Sequence, residues 1–160
     1  MDYEQIRIKQ WLDQEDALTR DIVRRRGWAI QSVLGEGCEP AFSYTVGLFG
    51  FGHPELLIFG LPHDSASSVL NDLCERVRRG GPIIAGELQT FDNWPHRLHA
   101  FALADTSEVL FAANRFYNRP PDDPVPALQL VWDDRWGRFP WEPGYDPPDW
   151  LQPVPGTFTA

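Results

Sequence analysis

Ten of the chain's fifteen prolines lie between Pro120 and Pro155. Proline fixes φ at about −65° and has no backbone N–H, so it interrupts helices and central strands alike. That stretch of the chain can therefore hold regular structure only where a proline-free run is long enough, and Leu128 to Trp132 is the run that reads as a strand. The remaining prolines, Pro40, Pro54, Pro62, Pro82 and Pro95, fall singly and act as punctuation. Four of the seven tryptophans, Trp132, Trp136, Trp141 and Trp150, share the proline-rich part. Each large aromatic buries about 150–250 Å² when packed, so this part reads as an arm wrapped over the rest.

The 160 residues are expected to form a single domain. It divides into a helical segment (1–26), an α+β core (27–118), the proline- and tryptophan-rich arm (119–152) and a fraying end (153–160). From about 3 to 26, Ile6, Ile8, Trp11, Leu12, Leu18, Ile22 and Val23 recur near helical spacing. This is one helix, or two if Asp13 or Asp16 caps a second. Arg24 to Arg26 suit the negative end of the helix dipole, and Gly27 suits a left-handed stop.

Trp28–Leu34, Phe42–Leu48 and Glu55–Leu61 read as strands; the last is nearly all apolar, as expected for a strand covered on both faces. Asp64 is expected to cap a helix over Ser65–Arg79, stopped by Gly80-Gly81-Pro82. Ile83–Phe91 and Arg97–Leu103 read as a strand pair, and Asp105 with Glu108 as a capping box for a helix from Thr106 to about Asn118. The expected architecture is α+β: a mostly antiparallel sheet, curled in part toward a barrel, flanked by helices and carrying the arm.

Charge narrows the partners. Fourteen Lys and Arg against 23 Asp and Glu leave a net charge of −9. Nucleic-acid backbones and anionic membranes call for clustered cations, so neither is expected. The expected partner is a neutral or cationic small molecule or peptide, or a basic protein. The chain has two cysteines, Cys38 and Cys74, which make no disulfide framework, and no apolar run long enough to span a bilayer; a cytoplasmic setting follows as the expectation. Cys74 reads as a packing thiol on a helix face.

Gly27-Trp28, Phe42-Ser43-Tyr44-Thr45-Val46-Gly47-Leu48, and His53-Pro54-Glu55-Leu56 running into Phe59-Gly60-Leu61-Pro62 occur in that order. Leu128-Gln129-Leu130-Val131-Trp132 follows, leading to Gly137-Arg138-Phe139-Pro140-Trp141-Glu142-Pro143-Gly144-Tyr145. This order and spacing resembles a bacterial family of unknown function, domain-of-unknown-function family 4262. The chain departs from that pattern at Trp132-Asp133-Asp134, where Trp-Pro-Asp is common. The resemblance implies a bacterial cytoplasmic domain and supplies no mechanism.

No phosphate-cradling glycine motif, nucleophile elbow or metal-ligand spacing is present. His96 and His99, three apart on an expected strand, point to opposite faces and read as solvated or satisfied. No metal is expected. The candidate cleft is placed where the Tyr44 strand, the His53-Pro54-Glu55 turn and the arm from Trp132 to Trp141 meet. His53 is the candidate for proton transfer, with Glu55 orienting it; Tyr44, Thr45, Trp132, Asp133 and Trp141 are the candidate ligand contacts. The competing account is that Glu55 caps a backbone turn and the tryptophans fill space.

Three functions fit. The first is a binding module with an aromatic, acidic-rimmed cleft. The second is a flavin-binding oxidoreductase of split-barrel type, in which Ser43 and Thr45 contact the flavin phosphate and Arg76 or Arg97 partners its charge. The third is an acidic interaction or immunity-type protein for a basic partner.

Overall fold

Helix α1 (Tyr3–Arg26) begins where Asp2 accepts the N–H of Gln5 and the Gln5 side chain returns a bond to the Asp2 N–H. This reciprocal cap fixes the start. The helix runs through Asp13 and Asp16 without a break and ends at Gly27, whose φ of 98° only glycine adopts freely. The computed structural model describes residues 2–160. None of the α1 side chains is buried, although their apolar spacing suggested a packed stripe.

Six strands follow: β1 (Ala29–Val33), β2 (Phe42–Val46), β3 (Glu55–Phe59), β4 (Leu88–Gln89), β5 (Leu98–Leu103) and β6 (Ala127–Trp132). They form one sheet in the order β1-β2-β3-β6-β5-β4. All pairs are antiparallel except β3 with β6, which run parallel. The α+β class and the mostly antiparallel sheet are as expected, but the curl into a barrel is not realised. Closure requires the first and last strands to pair. Here β1 and β4 are opposite edges, and β4 is only two residues long because the segment from Ile83 turns at 84–87 instead of extending.

Alternation along the strands divides the core into two. Leu56, Ile58, Leu98, Ala100, Leu128, Leu130 and Trp132 face α2 (His63–Arg78), which contributes Val69, Leu70, Leu73 and the buried Cys74. Leu57, Phe59, Tyr44, Val46 and Ala127 face the other way, toward α3 (Phe111–Phe116) and the Val109-Leu110 turn before it. β2, β3 and β6 are buried on both faces.

Helix α3 is shorter than its pattern suggests. Asp105 folds onto Ser107, accepting its N–H and its hydroxyl. The Asn114 amide donates to the carbonyls of Thr106 and Leu110. Such side-chain bonds compete with the helical ladder and hold 106–110 as turns.

The arm packs tightly on the sheet. Trp132 donates its indole N–H to the Phe59 carbonyl at 2.8 Å. The Gln152 side-chain amide accepts the Trp132 N–H and donates to the Trp132 carbonyl, as a neighbouring strand would. Gly60, with φ of 78°, takes Leu151 where a Cβ would stand 2.8 Å from it. Residues 153–160, where fraying is expected, are anchored: the Phe158 ring lies 4.9 Å from Phe59, and Ala160 donates its N–H to Glu108. Among the described residues, no helix is long and apolar enough to cross a membrane.

Candidate functional site

Two of the expected site residues, Glu55 and Thr45, come together in a closed knot. Glu55, fully buried at the start of β3, accepts five hydrogen bonds: from the Thr45 hydroxyl, from the backbone N–H groups of Gly47, Leu48 and Phe49, and from the Tyr117 hydroxyl. Thr45 accepts the Leu56 N–H, so its own proton goes to Glu55. The carboxylate thereby caps the 3-10 turn Leu48–Phe51. Gly47 is required at that turn: a Cβ there would stand 2.5 Å from the Gly27 carbonyl. Burial pushes the Glu55 carboxyl up from its ordinary value, while the donors from Gly47, Thr45, Phe49 and Tyr117 pull the other way. Burial and the Glu55 charge likewise raise the Tyr117 phenol.

The expected His53–Glu55 hydrogen bond does not form. His53 donates from Nδ1 to the Pro54 carbonyl at 2.7 Å and accepts the Ile83 N–H at Nε2, 2.9 Å away. Both ring nitrogens are occupied, and the neutral Nδ1–H tautomer is the one these partners require. The Tyr44 hydroxyl accepts the Ala112 N–H, and burial pushes its pKa up to about 12. The hydroxyls in the flavin analogy are engaged as well, Ser43 with Ser32 and Thr45 with Glu55 and Leu56. The open sheet removes the barrel on which that analogy rested.

The arm residues separate. Trp132 faces α2 with the core. Trp141 lies on the other face, stacked on Phe139 at 4.8 Å and edge-on to His99 and Phe101. There it lines an apolar pocket of about 230 Å³ with Phe101, Val131 and Pro153.

Asp133 is the expected residue that leads to an open site. It is buried at the end of β6, and its carboxylate accepts the backbone N–H of Arg97 at 2.9 Å and the Arg97 Nε at 2.8 Å. Its backbone carbonyl accepts Nδ1–H of His96 at 2.5 Å, with the carboxylate 3.4 Å from the same nitrogen. The His96 ring sits between Trp94, at 4.8 Å, and Trp132, at 5.5 Å. With Nδ1 committed, Nε2 is left as an acceptor, and His96 lines a concavity of about 600 Å³ along Thr90–Arg97.

The other side of this loop faces the first turns of α2 across a second concavity of about 500 Å³, and Phe91, Asn93 and Trp94 wall both. Asp64 and Asp72 line the α2 side. α2 starts at His63 behind Pro62 with no side-chain cap, so Asp64 sits within the first turn and faces the cleft instead of closing the helix. Asp72 is partly engaged by Arg76, which also stacks over Phe91 at 4.5 Å. Among the described residues, no group of three or more His, Cys, Asp and Glu side chains is placed to hold a metal.

His96, Trp94, Asp64 and Asp72 were not among the sequence candidates. The signal that unites His96 with Asp133 is the β5–β6 register, in which Leu98 pairs with Trp132. That pairing puts the residues before β5 beside those after β6.

No curated protein and no solved structure matches this chain. The family described as Domain of unknown function (DUF4262) matches residues 22–146, from the last turns of α1 to the second turn of the arm. With that match spanning most of its length, the chain belongs to the DUF4262 family.

Proposed function

We propose that the protein is a binding module for a cationic group, an amine or guanidinium on a small molecule or peptide, held in the cleft between α2 and the Thr90–Arg97 loop. The observation that carries this reading is the cleft's inventory of acceptors. Asp64 and Asp72 offer carboxylates, and Phe91 and Trp94 offer aromatic rings. A positively charged donor satisfies all of these together, through charge-assisted hydrogen bonds and cation–π contact. Arg76 over Phe91 is an example of that contact within the protein itself. The net charge of −9 steers such a ligand inward.

The test is a titration with Nα-acetyl-arginine amide and Nα-acetyl-lysine amide, against the glutamate and norleucine analogues, followed by tryptophan fluorescence and amide chemical shifts. Saturable binding of the cationic pair, weakened at high salt and lost in Asp64→Asn/Asp72→Asn and in Trp94→Ala, is the expected result. Equal response to all four compounds, or none at millimolar concentration, overturns the proposal. If only a cation-rich protein is retained at low salt and both amides fail, the acidic-interaction reading replaces it.

A further inference from the structure

We propose that the protein is a two-fold homodimer joined through α1, with the two helices antiparallel. Residues 2–11 of α1 are all exposed, and the helix meets its own domain only from Leu12 onward, against β1 and α3. The Asp16–Arg115 ion pair marks that contact. Nine of the helix's 24 residues, Tyr3 to Trp11, thus lie ahead of that contact.

The projecting helix carries a seam. Ile8, Trp11, Glu15, Leu18 and Ile22 follow one another at alternating steps of three and four residues, the spacing of a helix–helix contact stripe. Ile8, Trp11 and Leu18 keep 52%, 59% and 55% of their surface exposed. The charges beside the seam specify the occupant and its direction. Arg7, Gln14 and Asp21 flank it at seven-residue spacing. With a second copy laid antiparallel about an axis beside Asp13, Ile8 meets Leu18, Trp11 meets Glu15, and Gln14 meets Gln14. Arg7 then faces Asp21, once on each side of the axis. A helix face whose charges complement those of its own reversed copy points to that copy as the occupant.

The area needed agrees with this geometry. A stable interface buries about 800 Å² per partner. About that axis the helices overlap over residues 3–23, a stripe about 31 Å long and 10 Å wide that supplies roughly 300 Å² of it. The proposal puts the remainder where the exposed first turns of each α1 reach the domain of the other copy. The dimer does not depend on the cleft between α2 and the Thr90–Arg97 loop.

Sedimentation equilibrium of the full chain tests the proposal. The expected species has twice the 18.3 kDa chain mass at tens of micromolar. Trp11→Glu gives a monomer with unchanged helical circular dichroism. Arg7→Asp weakens the dimer about tenfold or more, and adding Asp21→Arg to it restores association. A wild-type monomer at 100 μM or so, or a dimer indifferent to Trp11→Glu, overturns the interface. A charge swap that fails to restore association overturns the antiparallel register.

Discussion

The Glu55 knot and the His96–Asp133 cluster are both built around a buried carboxylate, yet they differ in what they leave unused. Around Glu55 every partner is a donor from the protein itself: three backbone N–H groups, Thr45 and Tyr117. His53, two residues away, is likewise spent on Pro54 and Ile83. Nothing remains for a ligand, and the chemistry is that of a turn cap. Around Asp133 the carboxylate orders Arg97 and flanks His96, but the imidazole lines a concavity and is bonded within the protein through Nδ1 alone. Burial and hydrogen bonding of a carboxylate therefore do not by themselves mark a binding site. The two regions part in what they leave over: one spends its polar atoms on the protein, while in the other no hydrogen bond within the protein engages Nε2 of His96.

Removing the central carboxylate of each region gives the largest contrast. Glu55→Ala strands the N–H groups of Gly47, Leu48 and Phe49 beneath the surface. Each unsatisfied buried donor costs about 1–3 kcal/mol, so a loss of about 4 kcal/mol or more is expected in urea unfolding. Asp133→Ala strands chiefly the Arg97 N–H, since the Arg97 side chain is partly solvated, and is expected to cost about 1–3 kcal/mol. If Asp133→Ala proves the costlier of the two, the distinction between a closed knot and an open cluster fails.

Acid sharpens the comparison with a third carboxylate. Asp134 accepts the N–H groups of Trp136, Arg138 and Asp146 and so pins the first turns of the arm. Burial works to raise its carboxyl, but those N–H groups and the Arg138 charge outweigh it and hold it below the usual carboxylate range. A carboxyl lowered on folding stabilises above its unfolded value and loses that contribution as pH falls through the folded one. The arm is therefore expected to stay docked through mildly acid solution and to loosen below about pH 4, read by the emission of Trp136 and Trp141. Asp134→Asn should remove this step. Loosening already between neutrality and pH 5 would assign the arm's hold to other groups.

How much of this was legible in the sequence depended on whether a feature is local. Gly27 ended α1, the apolar run at Glu55–Phe59 became a doubly covered strand, and the arm's single proline-free run became β6. These follow from neighbouring residues alone. The knot is half legible: Glu55 and Thr45 do meet, but the donors from Gly47 to Phe49 are backbone groups, which no residue identity announces. The open cluster depends on β5 lying between β4 and β6, a long-range pairing. Without that register His96 reads as a solvated or satisfied histidine, and Asp133 as a ligand contact grouped with the Tyr44 strand instead of with His96. Helix α1 misleads for the opposite reason: its spacing is real, but its own domain meets it only from Leu12 onward.

The smallest expected stability effect is the most diagnostic. His96 makes one hydrogen bond to a backbone carbonyl and lies between two rings that pack elsewhere as well. His96→Gln retains an N–H able to donate to the Asp133 carbonyl, so unfolding should shift by less than about 1 kcal/mol. His96 lines the concavity on the other side of the loop from Asp64 and Asp72, so the same change should leave the affinity for Nα-acetyl-arginine amide within about twofold. Measured on one preparation, the two numbers tell the two faces of the Thr90–Arg97 loop apart. Were His96→Gln to lower that affinity tenfold, the ligand would sit on the His96 side of the loop and the cleft against α2 would not be its site.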